Sequence, residues 1–182
     1  MVKSNNFPIT SENMPGEEQT NSPEPKQGAP KVTLTAIGSG RKIDLRNTGI
    51  LTLLVCHGRD SADEATEVHT AVRERYPLAS TLMTASLVNL RIVPRMFRGV
   101  AEGAIRKAYQ EAVDRLEQGQ KPEDYIVILL DWDASVTNSL GLYHTASTAG
   151  VAVLDGEGSL LETYQGADLA LKAVSLLEKY VA

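Results

Sequence analysis

Cysteine is almost absent from this sequence. Its 182 residues contain one cysteine, Cys56, so the chain cannot form an internal disulfide and has no Cys-x-x-Cys motif for redox chemistry or zinc binding. Any thiol chemistry that the chain performs must therefore use Cys56 alone.

Basic residues and long hydrophobic segments are also scarce. Lys and Arg number 18 against 23 Asp and Glu, a formal net charge of -5, whereas nucleic-acid binding relies on Lys and Arg to neutralise phosphates. No apolar run approaches the roughly 18–20 residues that cross a bilayer, and no basic stretch followed by a hydrophobic one marks a secretory signal. We therefore expect a cytoplasmic protein that binds neither nucleic acid nor membrane.

The composition changes near residue 30. Residues 1–30 contain five of the eight prolines among Ser, Asn, Gln and Glu, and such a segment cannot bury enough apolar surface to offset its ordering entropy. We predict a disordered tail over residues 1–30 and one folded domain over residues 31–182. The alternative function for the tail is a partner-binding motif around Phe7 and Pro8.

The start of the domain has the two-residue period of β-strands. Alternation over 32–36 and 43–45, separated by Gly38-Ser39-Gly40, predicts a β-hairpin. The nearly continuous apolar run over 50–56 predicts a strand buried on both faces, at the centre of the sheet.

Helical periodicity begins after this central strand. Ser61-Ala62-Asp63-Glu64 predicts a capping box, in which the Ser61 hydroxyl and the Glu64 carboxylate satisfy each other's backbone N–H groups. Apolar residues then recur at helical spacing as far as Tyr76, and Pro77 ends the helix.

The remaining pattern alternates strands and helices. It predicts, in order, a strand over 81–88, a helix from Pro94 to about Gln118, a strand over 125–130, a short helix over 136–140, a hairpin over 151–164 and a last helix over 167–180. This order predicts an α/β fold with a mixed sheet and helices on both faces.

Over roughly residues 32–180 the sequence resembles the thioredoxin-like superfamily, and in particular its peroxiredoxin or redoxin branch. The resemblance is carried by the small hairpin, the strand over 50–56 leading into a helix, Leu129-Leu130-Asp131 with Leu140-Gly141-Leu142 downstream, and Val153-Leu154-Asp155-Gly156-Glu157-Gly158. It implies a thioredoxin-like, peroxiredoxin-like fold.

The resemblance also implies a reactive thiolate at the first turn of the helix, where backbone N–H groups and the helix dipole lower a thiol pKa. Here that turn, residues 57–64, contains no cysteine. The nearest match to the peroxiredoxin spacing is His57, Ser61 and Glu64, and Ala149 stands where thioredoxins carry a cis-proline and many peroxiredoxins an arginine. Both departures imply that dithiol exchange and peroxide reduction are lost.

Cys56 has two interpretations. A cysteine in a buried strand is usually a small hydrophobic residue. Alternatively, Cys56 lies at the strand exit, where His57 and Arg59 could lower its pKa and permit single-cysteine chemistry through a sulfenic acid.

Metal binding and serine catalysis have little support. The histidines are too far apart in sequence for a typical zinc site, and three strand-end carboxylates would have to meet at one end of the sheet to hold a hard cation. The residues concerned are His57, His69 and His144, and Asp131, Asp133 and Asp155. Ser61 is explained by helix capping rather than by nucleophilic catalysis. We therefore expect no metal and no cofactor.

Arg91, Arg95 and Arg98 surround the predicted helix start at Pro94. Cations at a helix N-terminus oppose the helix dipole, so they call for a partner. Either local carboxylates such as Glu102 or an external phosphate or carboxylate would serve.

Three functional hypotheses follow. The first is a redox-inactive, redoxin-like protein with a binding or interaction role, its partner a protein or a small anionic ligand. The second is a single-cysteine antioxidant enzyme that uses Cys56. The third is a module that binds a small anion through Arg91, Arg95 and Arg98. A homodimer is compatible with each hypothesis.

Overall fold

The structure is a computed structural model that describes residues 28–181. The predicted disordered tail lies outside this range except for its last three residues, and so does the Phe7 and Pro8 motif. No helix in the described range is long and apolar enough to cross a membrane.

The last residues of the predicted tail belong to the folded domain. Gly28 forms a β-bridge with Ser159, and the fully buried Ala29 donates its N–H to the Gly158 carbonyl at 2.7 Å. Stable contacts therefore begin slightly before the predicted boundary at Lys31.

A five-stranded mixed sheet forms the centre of the domain, and a two-stranded hairpin lies beside it. The hairpin is β1 (Thr33–Thr35) and β2 (Lys42–Asp44), and the sheet contains β3 (Leu51–His57), β4 (Leu82–Asn89), β5 (Val127–Asp131), β6 (Gly150–Leu154) and β7 (Leu160–Gln165). The strand order is β5-β4-β3-β6-β7, in which β4 is parallel to β3 and to β5, and the β6–β7 hairpin is antiparallel. The predicted hairpins and the central position of β3 are confirmed.

Five helices connect the strands or follow them. They are α1 (Ala62–Arg75), α2 (Arg98–Val113), α3 (Pro122–Tyr125), α4 (Ser135–Ser139) and α5 (Leu169–Leu177). A short 3-10 turn, Arg95–Phe97, precedes α2. The pattern missed α3, a single turn that lies before the predicted strand over 125–130 and includes only its first residue, Tyr125.

Successive residues of β3 belong to two separate cores, because side chains alternate across a strand. Leu53 and Val55 pack with the buried faces of α1 and α5. Leu54 and Cys56 pack on the other side, with residues from the β1–β2 hairpin and α4. The predicted mixed sheet with helices on both faces is thereby confirmed.

The long helix α2 differs from its prediction. The pattern predicted one helix with an inward apolar face from Phe97 onward, yet none of the 16 residues of α2 is buried against the described part of the chain. Phe97 is 53% exposed. Tyr109 of α2 does contact the hairpin, since its ring leaves no room for a side chain at Gly38.

Candidate functional site

The turn between β3 and α1 is where this fold could present a group at a helix N-terminus. Ser61, the residue before α1, is buried. Its hydroxyl donates to the backbone carbonyl of Thr145 at 2.8 Å and accepts a hydrogen bond from the Gly58 N–H at 3.1 Å. Both hydrogen bonds occupy the Ser61 oxygen, which leaves it poorly placed to act as a nucleophile.

The same turn is in close backbone contact with the loop that leads into β6. A Cβ built on Gly58 would lie 2.5 Å from the Cα of Ala146, so only glycine permits this approach. Asn89, at the end of β4, donates its side-chain amide to the Thr145 hydroxyl at 2.9 Å. We call the contact between residues 57–61 and residues 144–149 the turn–loop clasp.

The predicted capping box does not form. Ser61 makes no side-chain capping bond to α1. Its hydroxyl is used within the clasp, and the Glu64 carboxylate accepts a hydrogen bond from the Ala149 N–H at 2.9 Å. The box prediction was wrong because both side chains find partners in a loop about 85 residues away in sequence, which local spacing cannot reveal.

Cys56 is fully buried in the core. Burial raises the pKa of its thiol far above the ordinary value, and the nearby Asp131 carboxylate adds to this shift. His57 lies on the opposite face of β3, as alternation requires, and Arg59 is exposed in the turn. The structure therefore does not surround the thiol with the cations that a low pKa would need.

Burial lowers the pKa of the two histidines near this end of the sheet. His57 donates from Nδ1 to the Gly58 carbonyl at 3.0 Å, and burial lowers its pKa. His69, on α1, lies 2.8 Å through Nε2 from the Ser86 hydroxyl of β4. Burial lowers the pKa of His69 to about 4, with further lowering from His57 and Arg73. No pattern in the sequence predicts the His69 and Ser86 pair, because only the fold brings α1 over β4.

The strand-end carboxylates do not converge. Asp131 is buried and accepts hydrogen bonds from the Thr137 N–H at 2.8 Å and the Thr137 hydroxyl at 2.6 Å, so it fixes the start of α4. Asp155 lies at the other end of the sheet, because β6 runs antiparallel to β3, and its carboxylate accepts the Glu157 and Ser159 N–H groups. The meeting of Asp131, Asp133 and Asp155 that a hard-cation site would require therefore does not occur. Within residues 28–181, no three metal-ligating side chains cluster.

The three arginines occupy different environments. Arg91 and Arg95 are exposed in the segment before α2. Arg98 is half-buried, and its guanidinium lies 4.7 Å from the centroid of the Trp132 ring. None of the three forms an ion pair with a carboxylate of residues 28–181, so the expected local partner Glu102 does not serve them. The Nε of Arg98 is buried and finds no hydrogen-bond partner in the same range.

No protein-family model matches the chain, and no curated protein matches its sequence. Solved structures do resemble it. The pneumococcal exposed lipoprotein thioredoxin Etrx1 of Streptococcus pneumoniae has a TM-score of 0.52 at 16% identity, over 80% of this chain and 98% of that one. StoA of Bacillus subtilis has a TM-score of 0.53 at 14% identity, over 81% of this chain and 97% of that one.

Yeast Sco1 is similar to the same extent. Its TM-score is 0.53 at 14% identity, over 87% of this chain and 96% of that one. Likeness at this level of identity establishes the fold. The protein therefore has a thioredoxin-like fold, and with a single cysteine it lacks the cysteine pair that thioredoxins carry at the start of the helix after the central strand.

Proposed function

We propose that this protein is a redoxin-like binding protein that works without thiol chemistry. One observation carries the proposal: the turn in which a thiolate would be activated holds Ser61 instead, and its buried hydroxyl is engaged by Gly58 and Thr145. A hydroxyl that is buried and hydrogen-bonded in this way contributes to the stability of the fold rather than to a reaction at its surface.

The competing function is a single-cysteine antioxidant enzyme. It requires Cys56 to ionise and to meet a peroxide, because the thiolate is the nucleophile. The thiol is fully buried, and its pKa is raised by burial and by Asp131. Both facts favour the binding role.

A peroxide titration followed by intact-mass spectrometry separates these functions. The reduced protein, a Cys56→Ala variant and free cysteine are treated with hydrogen peroxide in the presence of a sulfenic-acid trap. We expect no trapped adduct on the folded protein under conditions that oxidise free cysteine, and rapid adduct formation once the protein is unfolded in denaturant. Trapping on the folded wild type faster than on free cysteine would overturn the proposal.

Anion binding at the start of α2 is the second candidate. The buried Arg98 Nε lacks a hydrogen-bond partner among the described residues, and an incoming phosphate or carboxylate would supply an acceptor of the kind that arginine binds best. Arg91 and Arg95 add positive charge in the same segment.

Trp132 offers a direct readout of this candidate, because it is the single tryptophan in the chain and lies under Arg98. Inorganic phosphate and citrate are titrated while Trp132 fluorescence is recorded. We expect a saturable change in the wild type that is lost in Arg91→Ala/Arg95→Ala at an unchanged Tm, and that persists in Arg115→Ala, an exposed control. A linear response, or an unaffected double variant, would rule out this site.

A further inference from the structure

A cleft of about 430 Å³ lies between α2, the turn of the β1–β2 hairpin and the end of β5. Its walls are formed by residues 35–40, Glu102, Arg106, Leu130 and Trp132. Tyr109 of α2 contacts Gly38, yet no residue of α2 is buried against the described part of the chain, so the helix does not close over this space. The volume lies within the roughly 300–1,000 Å³ of small-ligand pockets. We call this space the α2–hairpin cleft.

Two opposite charges on α2 line the cleft without pairing. Glu102 and Arg106 are four residues apart, a spacing that lets an acidic side chain pair with a basic one on the same helix. Lys107 and Glu111 have the same spacing and form an ion pair at 3.9 Å. Neither Glu102 nor Arg106 forms an ion pair with any residue of 28–181. The cleft therefore presents a carboxylate and a guanidinium, one helical turn apart, to whatever enters it.

The hairpin and the end of β5 bring apolar side chains to the same cleft. Leu130 and Trp132 are half-buried, and Ile37 is 8% exposed. The Arg98 guanidinium lies 4.7 Å from the centroid of the Trp132 ring and packs against the indole. An apolar or aromatic group that enters the cleft would remove this surface from water, which favours binding.

A free α-amino acid with an apolar side chain matches these walls group by group. Its ammonium is a hydrogen-bond donor for the Glu102 carboxylate, and its carboxylate is an acceptor of the kind that the Arg106 guanidinium binds best. One carbon atom carries both charged groups, so they can reach two side chains on adjacent helical turns. A ligand with negative charge alone would lie beside the Glu102 carboxylate, and like charges repel.

We infer that the α2–hairpin cleft binds a free α-amino acid with an apolar side chain. The inference rests on the binding role proposed above and deepens it by naming a class of ligand. It differs from anion binding at the start of α2 in two respects. The residues that carry it are Glu102 and Arg106 rather than Arg91 and Arg95, and the ligand must bear a positive charge as well as a negative one.

Titration of the full chain with L-phenylalanine, L-leucine and inorganic phosphate tests the inference, with Trp132 fluorescence and calorimetry as readouts. N-Acetyl-L-phenylalanine lacks the ammonium, and L-phenylalaninamide lacks the carboxylate. We expect saturable binding of at least one amino acid, and each blocked derivative of phenylalanine should bind about tenfold more weakly or less, since it loses a hydrogen bond between charged groups. Equal binding of the blocked derivatives, or no saturable binding of either amino acid, would overturn the inference. Binding of phosphate alone would overturn it as well and would favour the anion site.

Glu102→Gln and Arg106→Gln test which residue meets which charge. Glu102→Gln should bind L-phenylalanine about tenfold more weakly and lose the preference for a free ammonium, whereas Arg106→Gln should lose the preference for a free carboxylate. Lys107→Gln and Glu111→Gln are matched controls, because these side chains pair with each other outside the cleft, and both should bind like the wild type. Thermal unfolding confirms that each variant is folded. A folded Glu102→Gln protein that keeps the preference for a free ammonium would overturn the inference.

Amino-acid binding and the proposed function fail in different experiments. A reactive Cys56 in the peroxide titration would remove the proposal of a protein without thiol chemistry and would leave the titration of the cleft unchanged. Absence of amino-acid binding would remove the ligand class and would leave the result for Cys56 unchanged.

Discussion

The Ser61 hydroxyl donates a 2.8 Å hydrogen bond to the backbone carbonyl of Thr145, across 84 residues of sequence. With the Gly58 N–H as its second partner, this hydroxyl ties the β3–α1 turn to the loop before β6. The two segments that meet at this end of the sheet are thus fastened by neutral hydrogen bonds, and no thiol lies between them.

Replacing Ser61 with alanine should reveal the strength of this clasp. The change leaves a buried N–H and a buried carbonyl without partners, which costs about 2–4 kcal/mol of unfolding free energy. Thr66→Ala is the control, since the exposed Thr66 hydroxyl bonds only to its own helix, and it should change stability by less than about 0.5 kcal/mol. Urea denaturation measures both, and equal effects would contradict a special role for Ser61.

Gly58 should tolerate no side chain. In Gly58→Ala the new methyl group would lie 2.5 Å from the Ala146 backbone, so the turn and the loop must separate, at a cost of about 1–3 kcal/mol or more. Gly28→Ala is the matched change, at a glycine where an added Cβ would lie 3.9 Å from the Gly158 carbonyl oxygen, an ordinary contact distance. Thermal unfolding of both variants checks this prediction, which fails if Gly58→Ala has the same Tm as the wild type.

His69 should make the protein less stable as the pH falls. Its pKa is lowered to about 4 in the folded state against about 6.5 in the unfolded chain, so the unfolded chain takes up the proton first. The contribution of neutral His69 to the free energy of unfolding is fully present above pH 6.5. It falls between pH 6.5 and 4, and the loss is about 3 kcal/mol at pH 4. Urea denaturation across this range, beside His69→Gln, measures the effect. A variant with the same pH slope as the wild type would contradict it.

Thr137→Val should expose the role of Asp131. Valine keeps the shape of threonine but deletes the 2.6 Å hydrogen bond to the buried Asp131 carboxylate, and a bond to a charged group contributes about 1.5–3 kcal/mol. Thr70→Val, at an exposed threonine on α1 whose hydroxyl bonds to the Thr66 carbonyl, should stay within about 0.5 kcal/mol of the wild type. Chemical denaturation of both variants supplies the comparison.

Local pattern was sufficient for most of the fold. Alternation predicted the hairpins, the apolar run predicted β3 as the central strand, and helical spacing with Pro77 predicted α1. These predictions succeeded because each depends on the burial of neighbouring residues, which a sequence records directly. The cytoplasmic location and the absence of a nucleic-acid partner stay predictions.

The contacts of the candidate site could not be predicted from local sequence pattern. The sequence by itself determined that the chain has one cysteine and none in the turn after β3. Only the tertiary structure decided that Ser61 bonds to Thr145, that Glu64 reaches Ala149, that His69 meets Ser86 and that α2 leaves its apolar face exposed. Periodicity records which residues avoid water. The hydrogen-bond partner of a side chain, and the surface that covers a helix, depend on which distant segments the fold brings together.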